Sequence, residues 1–486
     1  MKRILLFGLL LLFVLGFLVR FYRFNNPVAD WHSFRQGDTN AVSSRYVKEG
    51  INFLAPKYYD ISNVQSGKDN PYGLRLVEFP IYNATQAVLY QSIGILTLPE
   101  WGRLITIFAS IFSAVFIYAL TKKYSNEVAG VAAAAFYLFL PFSIYYSRVI
   151  LPDPSMAASL LAGIYFFDMW LSCYKPKSKN DKRTANSFLY FILSLIFTAL
   201  SFLLKPYALF FILPMVYLVI NKWGIGFIKK WQLWIFAILT IIPLALWRLW
   251  IGHHPEGIPV SAWLFNGNGI RFHPAFFKWI AYERLTKLIL GFTGIVFLIF
   301  GAWGVFKEKN KWFFLTFAIS SILYVCVIAT GNVQHDYYQI LIVPTVSIFA
   351  GLGFSKLFSL IAKKTSQNLA MAICVLIMVS SFILSWHYVK DYFNINDRGM
   401  VAAGVYANKI LPQDAVVIAP YDGSTTFLNI IERPGWPVFQ QGIDVLINKG
   451  ARYLVIANPT PNDFSGFGKT YTPVASSSTY LILKLK

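Results

Sequence analysis

The chain has 486 residues, 56% of them hydrophobic and 13% charged, where a soluble domain carries roughly 25% charged residues. That balance excludes an ordinary soluble protein and defines a polytopic membrane protein. The formal charge of +21 does not indicate a nucleic-acid partner, because Lys and Arg collect in short loops between apolar runs, where they set topology.

The chain opens with Met-Lys-Arg and an apolar run over residues 4–19. The bulky, basic Val19-Arg20-Phe21-Tyr22-Arg23 that follows is not a cleavage site, so a retained signal-anchor span is expected. A spanning helix needs about 20 apolar residues. Runs that qualify, or nearly so, are 3–22, 102–121, 128–146, 154–173, 187–204, 206–221, 231–250, 285–306, 312–330, 337–360 and 367–388, eleven in all. Lys205-Pro206 breaks the pair 187–204 and 206–221, and a proline there favours a turn or kink. Residues 81–98 are apolar overall but carry Asn83, Thr85, Gln86, Gln91 and Ser92. If they lie in the interface as an amphipathic helix, every basic short loop falls on one side: Lys122 and Lys123; Lys175 to Arg183, including Lys179; Lys222, Lys229 and Lys230; Lys307, Lys309 and Lys311; Lys363 and Lys364. Eleven spans with a cytoplasmic N-terminus are therefore expected.

This topology exports a long loop at 23–101, a short one near 147–153, a loop at 251–284 with His253, His254, Arg271 and His273, and the turn at His335. It also exports residues 389–486, separate from the membrane domain 1–388. There, strand-like runs (Ala415 to Ala419, Tyr453 to Ala457, Tyr480 to Leu485) alternate with helical stretches (Met400 to Ile410, Phe439 to Lys449), the pattern of a small α/β domain. It carries no Gly-rich phosphate fingerprint and reads as a structural or acceptor-docking appendage.

Polar groups that cap several spans can meet at one membrane face, within reach of a lipid headgroup. Asp38 can accept a proton from an attacking hydroxyl, with Arg35 on the same helical face, and an interfacial salt bridge explains the pair equally well. Glu78, between Val77 and Phe79, is costly at a membrane surface unless paired or bound to substrate or metal. The Arg148 guanidinium suits phosphate or carboxylate, and Asp153, bracketed by Pro152 and Pro154, either binds substrate or caps a helix. Lys205 has no acid near it in sequence and suits a lipid phosphate better than idle snorkelling. His335, Tyr337 and Tyr338 offer an imidazole and two phenols. Glu78 and His254, with His253 and His273 nearby, are weak metal candidates without diagnostic spacing, and Cys173, Cys326 and Cys374 have no ligand spacing either. The absence of a P-loop or nucleophile elbow points to a preactivated lipid-linked donor instead of a nucleotide.

The order Phe34-Arg35-Gln36-Gly37-Asp38-Thr39, Glu78-Phe79-Pro80-Ile81-Tyr82, Gly102-Arg103-Leu104, Tyr146-Ser147-Arg148 with Leu151-Pro152-Asp153, then His335-Asp336-Tyr337-Tyr338 with Pro344, resembles integral-membrane glycosyltransferases of the GT-C fold. The chain is similar to the protein-mannosyltransferase and aminoarabinose-transferase superfamily in its bacterial, family 39-like branch. The resemblance covers about residues 1–388. It implies a GT-C-like polytopic α-helical protein and an inverting hexosyl or pentosyl transfer. The donor would be a polyprenyl-phosphate sugar, and the acceptor a glycan, lipid or protein. The protein would sit among membrane lipids in the cytoplasmic (inner) membrane, with its site on the external face. By the resemblance Asp38 is the base, and Glu78 a second carboxylate for metal or substrate. Arg148 and Asp153 are substrate contacts, Lys205 holds the donor phosphate, and Tyr337 and Tyr338 line the donor. Relatives often carry two adjacent acids where this chain has Asp38-Thr39, which counts against a metal held by adjacent carboxylates there; no cofactor is certain, and a divalent metal is possible. The rival readings are a transporter or flippase and a non-catalytic assembly protein of envelope polysaccharide synthesis. Charges clustered at one face, without an internal repeat, count against transport.

Overall fold

The structure is a computed structural model describing residues 2–174 and 182–486. In a bilayer each backbone amide must be satisfied within its own segment, so the apolar runs become helices. Among the described residues, seven are long and apolar enough to cross a membrane: Leu98–Tyr124, Asp153–Cys173, Asn186–Leu204, Pro206–Lys229, Trp231–Gly252, Val343–Ala362 and the one that starts at Gln367. Four shorter apolar helices, Leu6–Phe21, Glu127–Phe139, Ile295–Lys307 and Lys311–Val327, stand among them. Together these elements coincide with the eleven apolar runs. The fold is that of a polytopic helical membrane protein. The basic stretch around Lys179, residues 175–181, lies outside the described residues.

Helices pack closest where side chains vanish. The Ile295–Gly304 helix meets Val343–Ala362 through Gly301 and Gly353, where a Cβ on either would overlap a carbonyl of its neighbour, Phe349 or Phe297. The expected break at Pro206 is present. Lys205 is extended (φ −163°, ψ 122°), as a residue before proline must be, and a 3₁₀ turn over Pro206–Ile212 leads into Leu213–Trp223.

The expected interfacial helix 81–98 is shorter, and its polar side faces protein. It spans Ile81–Ile93, ends at Gly94 (φ 67°), and gives way to the next span at a Thr97/Glu100 capping box. Asn83, Gln86 and Gln91 face a second, largely buried helix of the long loop, Ser33–Glu49, while Thr85 and Ser92 are exposed. Asn83 donates to the Thr39 carbonyl (2.6 Å) and Gln86 to Asn40 Oδ1 (3.1 Å), while Gln86 accepts from Ser43 (2.7 Å). Burial of this polar helix is tolerable because its side chains find partners on its neighbours.

The C-terminal region forms a five-stranded mixed sheet in the order β2-β1-β3-β5-β4. The strands are β1 Val417–Ile418, β2 Gly435–Trp436, β3 Tyr453–Ala457, β4 Thr472–Ser476 and β5 Tyr480–Lys484. β1 is parallel to β2 and β3, and β5 is antiparallel to β3 and β4. The Arg398–Ile410 helix packs over it with Met400, Ala403 and Ala407 buried. This region is no separate appendage. Ala41, Val42, Tyr46, Tyr58 and Tyr59 of the long loop share one apolar cluster with Phe427, Leu428, Val455 and Ile482. The backbone at Asp60 also pairs with Gly435 at the β2 edge.

The long loop and the sheet thus sit together at one end of the bundle, where the Val343–Ala362 helix begins. Lys363 and Lys364 follow the other end of that helix. With Cys173, Cys326 and Cys374 replaced, Lys364→Cys and Ser465→Cys should label from opposite sides with an impermeant thiol reagent. Labelling of both from one side would reject this arrangement of spans.

Candidate active site

The loop helix Ser33–Glu49 begins after His32, which takes a left-handed turn (φ 54°). Helical spacing sets Arg35 and Asp38 on one face, with Arg35 Nη1 3.9 Å from Asp38 Oδ2. Across a cleft the chain returns through Leu74-Arg75-Leu76-Val77-Glu78. Arg75 Nη2 donates to Asp38 Oδ2 at 2.6 Å, and Arg35 Nη2 to Glu78 Oε1 at 2.5 Å. Lys205, delivered by the break before Pro206, stands 3.8 Å from the same Glu78 oxygen and 2.6 Å from Asp153 Oδ1. The six groups form a row of alternating sign: Arg75, Asp38, Arg35, Glu78, Lys205, Asp153. Arg75, Asp38, Arg35 and Glu78 line a narrow cleft walled also by Pro56, Pro80 and Pro152, and Lys205 and Asp153 continue the row from Glu78.

Electrostatics fix the protonation of part of this row. Burial alone would raise the Glu78 carboxyl, but Arg35 and Lys205 overcome it and bring it down to about 2. Burial would likewise lower the Arg35 guanidinium, yet Glu78 and Asp38 raise it above its ordinary value. Glu78 is therefore ionised at neutral pH and organises cations; it has no proton to give. Two Arg75 donors, Nε and Nη1, are buried without a partner, as is Asp153 Oδ2.

An aromatic wall adjoins Lys205. Tyr337 and Tyr338 stack at 4.5 Å between centroids, and the Lys205 ammonium lies 5.7 Å from each ring and 5.8 Å from Tyr207. His335 stacks on Tyr337 at 5.6 Å and also meets His32, Phe34 and Trp263. Burial, with His32 nearby, lowers its imidazole to about 4. The anchored group of this turn is its neighbour. Asp336 is fully buried and accepts from His32 Nε2 (2.6 Å), Tyr146 (2.5 Å), Tyr392 and Trp31 (3.2 Å), with Arg284 at 3.6 Å.

Several sequence expectations change here. Lys205 is not a lone cation: Asp153, 52 residues earlier in sequence, pairs with it. Asp153 gives its carboxylate to Lys205 and makes no side-chain cap to its own helix. Arg148 does not reach the cleft. It is fully buried, bonds Asp30 at 2.7 Å and the Arg23 carbonyl at 3.1 Å, and lies over the Phe393 ring at 4.8 Å. It ties the start of the long loop to the segment after the last span. The weak metal pair is not assembled either: Glu78 is held by Arg35, and His254 pairs with Glu256 at 3.5 Å beside Trp250. Among the described residues no three His, Cys, Asp or Glu groups converge on a metal position. Each cleft carboxylate already has a cation, so this donor set does not fit a divalent ion. Arg75 went unnoticed in the sequence, although an isolated charge among apolar residues is the signal that marked Glu78. Nothing local marked Thr425, whose hydroxyl donates to Asp38 Oδ1 at 2.5 Å.

A helical membrane bundle crowned by a charged loop helix and a small α/β domain is the build of the GT-C glycosyltransferases. The model of the dolichyl-phosphate-mannose-protein mannosyltransferase family matches residues 10–254, and the chain belongs to that family. Among solved structures it is similar to ArnT from Cupriavidus metallidurans bound to undecaprenyl phosphate, at 12% identity, 98% coverage of both chains and a TM-score of 0.66. The apo state of that protein gives 13% identity, 98% coverage of both chains and 0.64. It is also similar to the oligosaccharyltransferase AglB from Archaeoglobus fulgidus in complex with an inhibitory peptide and a dolichol-phosphate. There the identity is 11%, the coverage 94% of this chain and 69% of that one, and the TM-score 0.58. At these identities the likeness is one of fold. No curated protein matches the sequence.

Two outcomes follow from the geometry. Arg148→Ala leaves the buried Asp30 carboxylate without its cation, with Gln36 still donating to it, so it should destabilise the protein by about 3–5 kcal/mol, read as a lowered melting temperature in detergent. A well-folded Arg148→Ala protein with altered donor use alone would return Arg148 to the cleft. His335 has a folded pKa of about 4, below its ordinary 6.5, so the unfolded chain binds the extra proton first. Its contribution to stability is present above pH 6.5 and lost as pH falls towards 4. His335→Phe should flatten the melting-temperature profile over that window, and an unchanged slope would count against it.

Proposed function

We propose that this protein transfers a sugar from a polyprenyl-phosphate donor to an envelope acceptor hydroxyl, at the outer face of the cytoplasmic membrane and with inversion at the anomeric carbon. The observation that carries the reading is Asp38, clamped beside a row of cations at the mouth of the helical bundle. An apolar groove lined by Phe167, Phe202, Leu209, Met215 and Phe236 among others offers a path for a prenyl chain. Phe202 and Leu209 belong to the two segments that flank Lys205, so the same hinge carries the groove wall and the ammonium. The lipid ligands of the ArnT and AglB structures agree with this class of donor. Lys122, Lys123, Lys222, Lys229, Lys230, Lys363 and Lys364 lie at helix ends away from the cleft, which supports an outward-facing site.

In the proposed step Asp38 takes the proton of the acceptor hydroxyl, whose oxygen bonds to the sugar C1. The bond from C1 to the phosphate oxygen breaks, and its electron pair leaves on the polyprenyl phosphate. Lys205 and the open Arg75 donors meet the charge that develops on the leaving group. Glu78 keeps Arg35 and Lys205 in place. Tyr337 and Tyr338 form an apolar face beside the phosphate position. The sugar and the acceptor are not named by these contacts.

Asp38→Asn keeps the shape and removes the base. With a polyprenyl-phosphate sugar mixture as donor, turnover should fall by at least ~100-fold in protein that still folds, though with a lowered melting temperature because Arg75 loses its buried counter-charge. Near-normal transfer by a folded Asp38→Asn protein would make the carboxylate a structural partner of Arg75. Failure of the wild type to consume any lipid-linked sugar would remove the transfer reading itself. For Lys205 the pairing with Asp153 demands a control. Lys205→Ala should weaken donor use more than acceptor use, whereas Asp153→Asn, which leaves the ammonium in place, should retain donor use within about tenfold. Equal loss in both would show that the pair, and not the ammonium, is what matters.

A further inference from the structure

The candidate base is held from two sides, and one side is the C-terminal domain. Arg75 grips Asp38 Oδ2, and Oδ1 accepts from the hydroxyl of Thr425, 387 residues away in sequence. Thr425 precedes the short Thr426–Ile431 helix in the N-cap position, where a threonine normally accepts from its own helix. It makes no such bond here. Its hydroxyl is turned outward, to Asp38 at 2.5 Å and the Phe34 carbonyl at 3.3 Å, and is buried with 3% of its surface exposed.

Gly37 eases the approach. A Cβ at that position would stand 3.3 Å from Thr426 Cα, tighter than ordinary contact, and 3.6 Å from Thr426 N, within it. Glycine inside a helix costs roughly 0.5–1 kcal/mol against alanine, and here that cost admits the neighbouring backbone. Polar bonds on either side fix the register: Thr426 to Ser33 at 3.2 Å and Asn40 to Asn429 at 3.1 Å.

We infer that Thr425 is a positioning residue for Asp38, so that the C-terminal domain completes the active site; this rests on Asp38 as the base. Asp38 has a competing partner in Arg35, 3.9 Å away. With both oxygens pinned by Arg75 and Thr425, the carboxylate cannot swing into a bidentate pair with Arg35, and its remaining lone pairs stay available to an acceptor hydroxyl. The domain therefore acts on the chemistry through one hydroxyl, beyond any part in docking the acceptor.

The test uses the full-length protein in nanodiscs and compares Thr425→Val, nearly the same shape without the hydroxyl, with Thr425→Ser, which keeps it. Thr425→Ala replaces the valine variant if that fails to fold. The first readout needs no substrate: isotope-edited infrared spectra of protein labelled with ¹³C-carboxyl aspartate, the Asp38 band being assigned by difference from Asp38→Asn. Thr425→Val should shift that band, and Thr425→Ser should not. The second readout is turnover of an undecaprenyl-phosphate sugar mixture. Thr425→Val should lose at least ~10-fold in kcat with donor KM within about twofold, and serine should restore most of it. An unshifted Asp38 band in folded Thr425→Val overturns the inference whatever the turnover. A shifted band with wild-type kcat overturns it as well, because orientation would then not matter to the reaction. A wild type that turns over no donor refutes the transfer reading, while the infrared arm still decides the contact.

Discussion

The alternating row from Arg75 to Asp153 is the constraint on which the loop-bearing end of this molecule depends. Burying one of these charges alone would cost several kcal/mol, and removing a partner from a buried pair typically costs about 3–5 kcal/mol. Arranged in sequence, three cations and three carboxylates neutralise one another while leaving specific atoms unsatisfied: two Arg75 nitrogens and one Asp153 oxygen. A site built this way is stable when empty yet retains donors for an incoming anion. It also draws together four separate parts of the chain, since Asp38, Glu78, Asp153 and Lys205 come from the loop helix, the returning segment of the loop, the head of one span and the end of another.

The second set of contacts holds the platform under that row. Arg148 with Asp30, and Asp336 with its ring of Tyr146, Tyr392, His32 and Trp31, fasten the long loop to the bundle and to the segment after the last span. These groups resemble site residues in sequence, being charged and aromatic at a membrane face. Their burial makes them fasteners. Cleft charges and scaffold charges differ here by what they touch and by whether they border open space, which residue type alone does not encode.

The eleven apolar runs were legible because a bilayer demands length and hydrophobicity that nothing else in the sequence imitates. The break before Pro206 and the pairing of Arg35 with Asp38 were legible because both are local. Lys205 with Asp153, and Asp38 with Arg75 and Thr425, were not, for the partners lie tens to hundreds of residues apart and no periodicity links them. β2 has two residues and the Thr426–Ile431 helix six, too short for a pattern, although that helix is the element that meets Gly37. The two elements least visible in the sequence are thus the ones that bring the C-terminal domain to the site.

The separation of 387 residues between Asp38 and Thr425 has a consequence for biosynthesis. The loop helix emerges early, with the first spans, whereas the hydroxyl that holds its carboxylate is translated only after the last span. During that interval the Ala41, Val42 and Tyr46 face of the loop helix lacks its apolar cover, and Asp38 has only its arginine neighbours. Contacts between such distant segments form late and slowly. A nascent chain would therefore enter the membrane before this contact exists, and truncation late in synthesis would yield an inserted bundle whose loop helix stays uncovered.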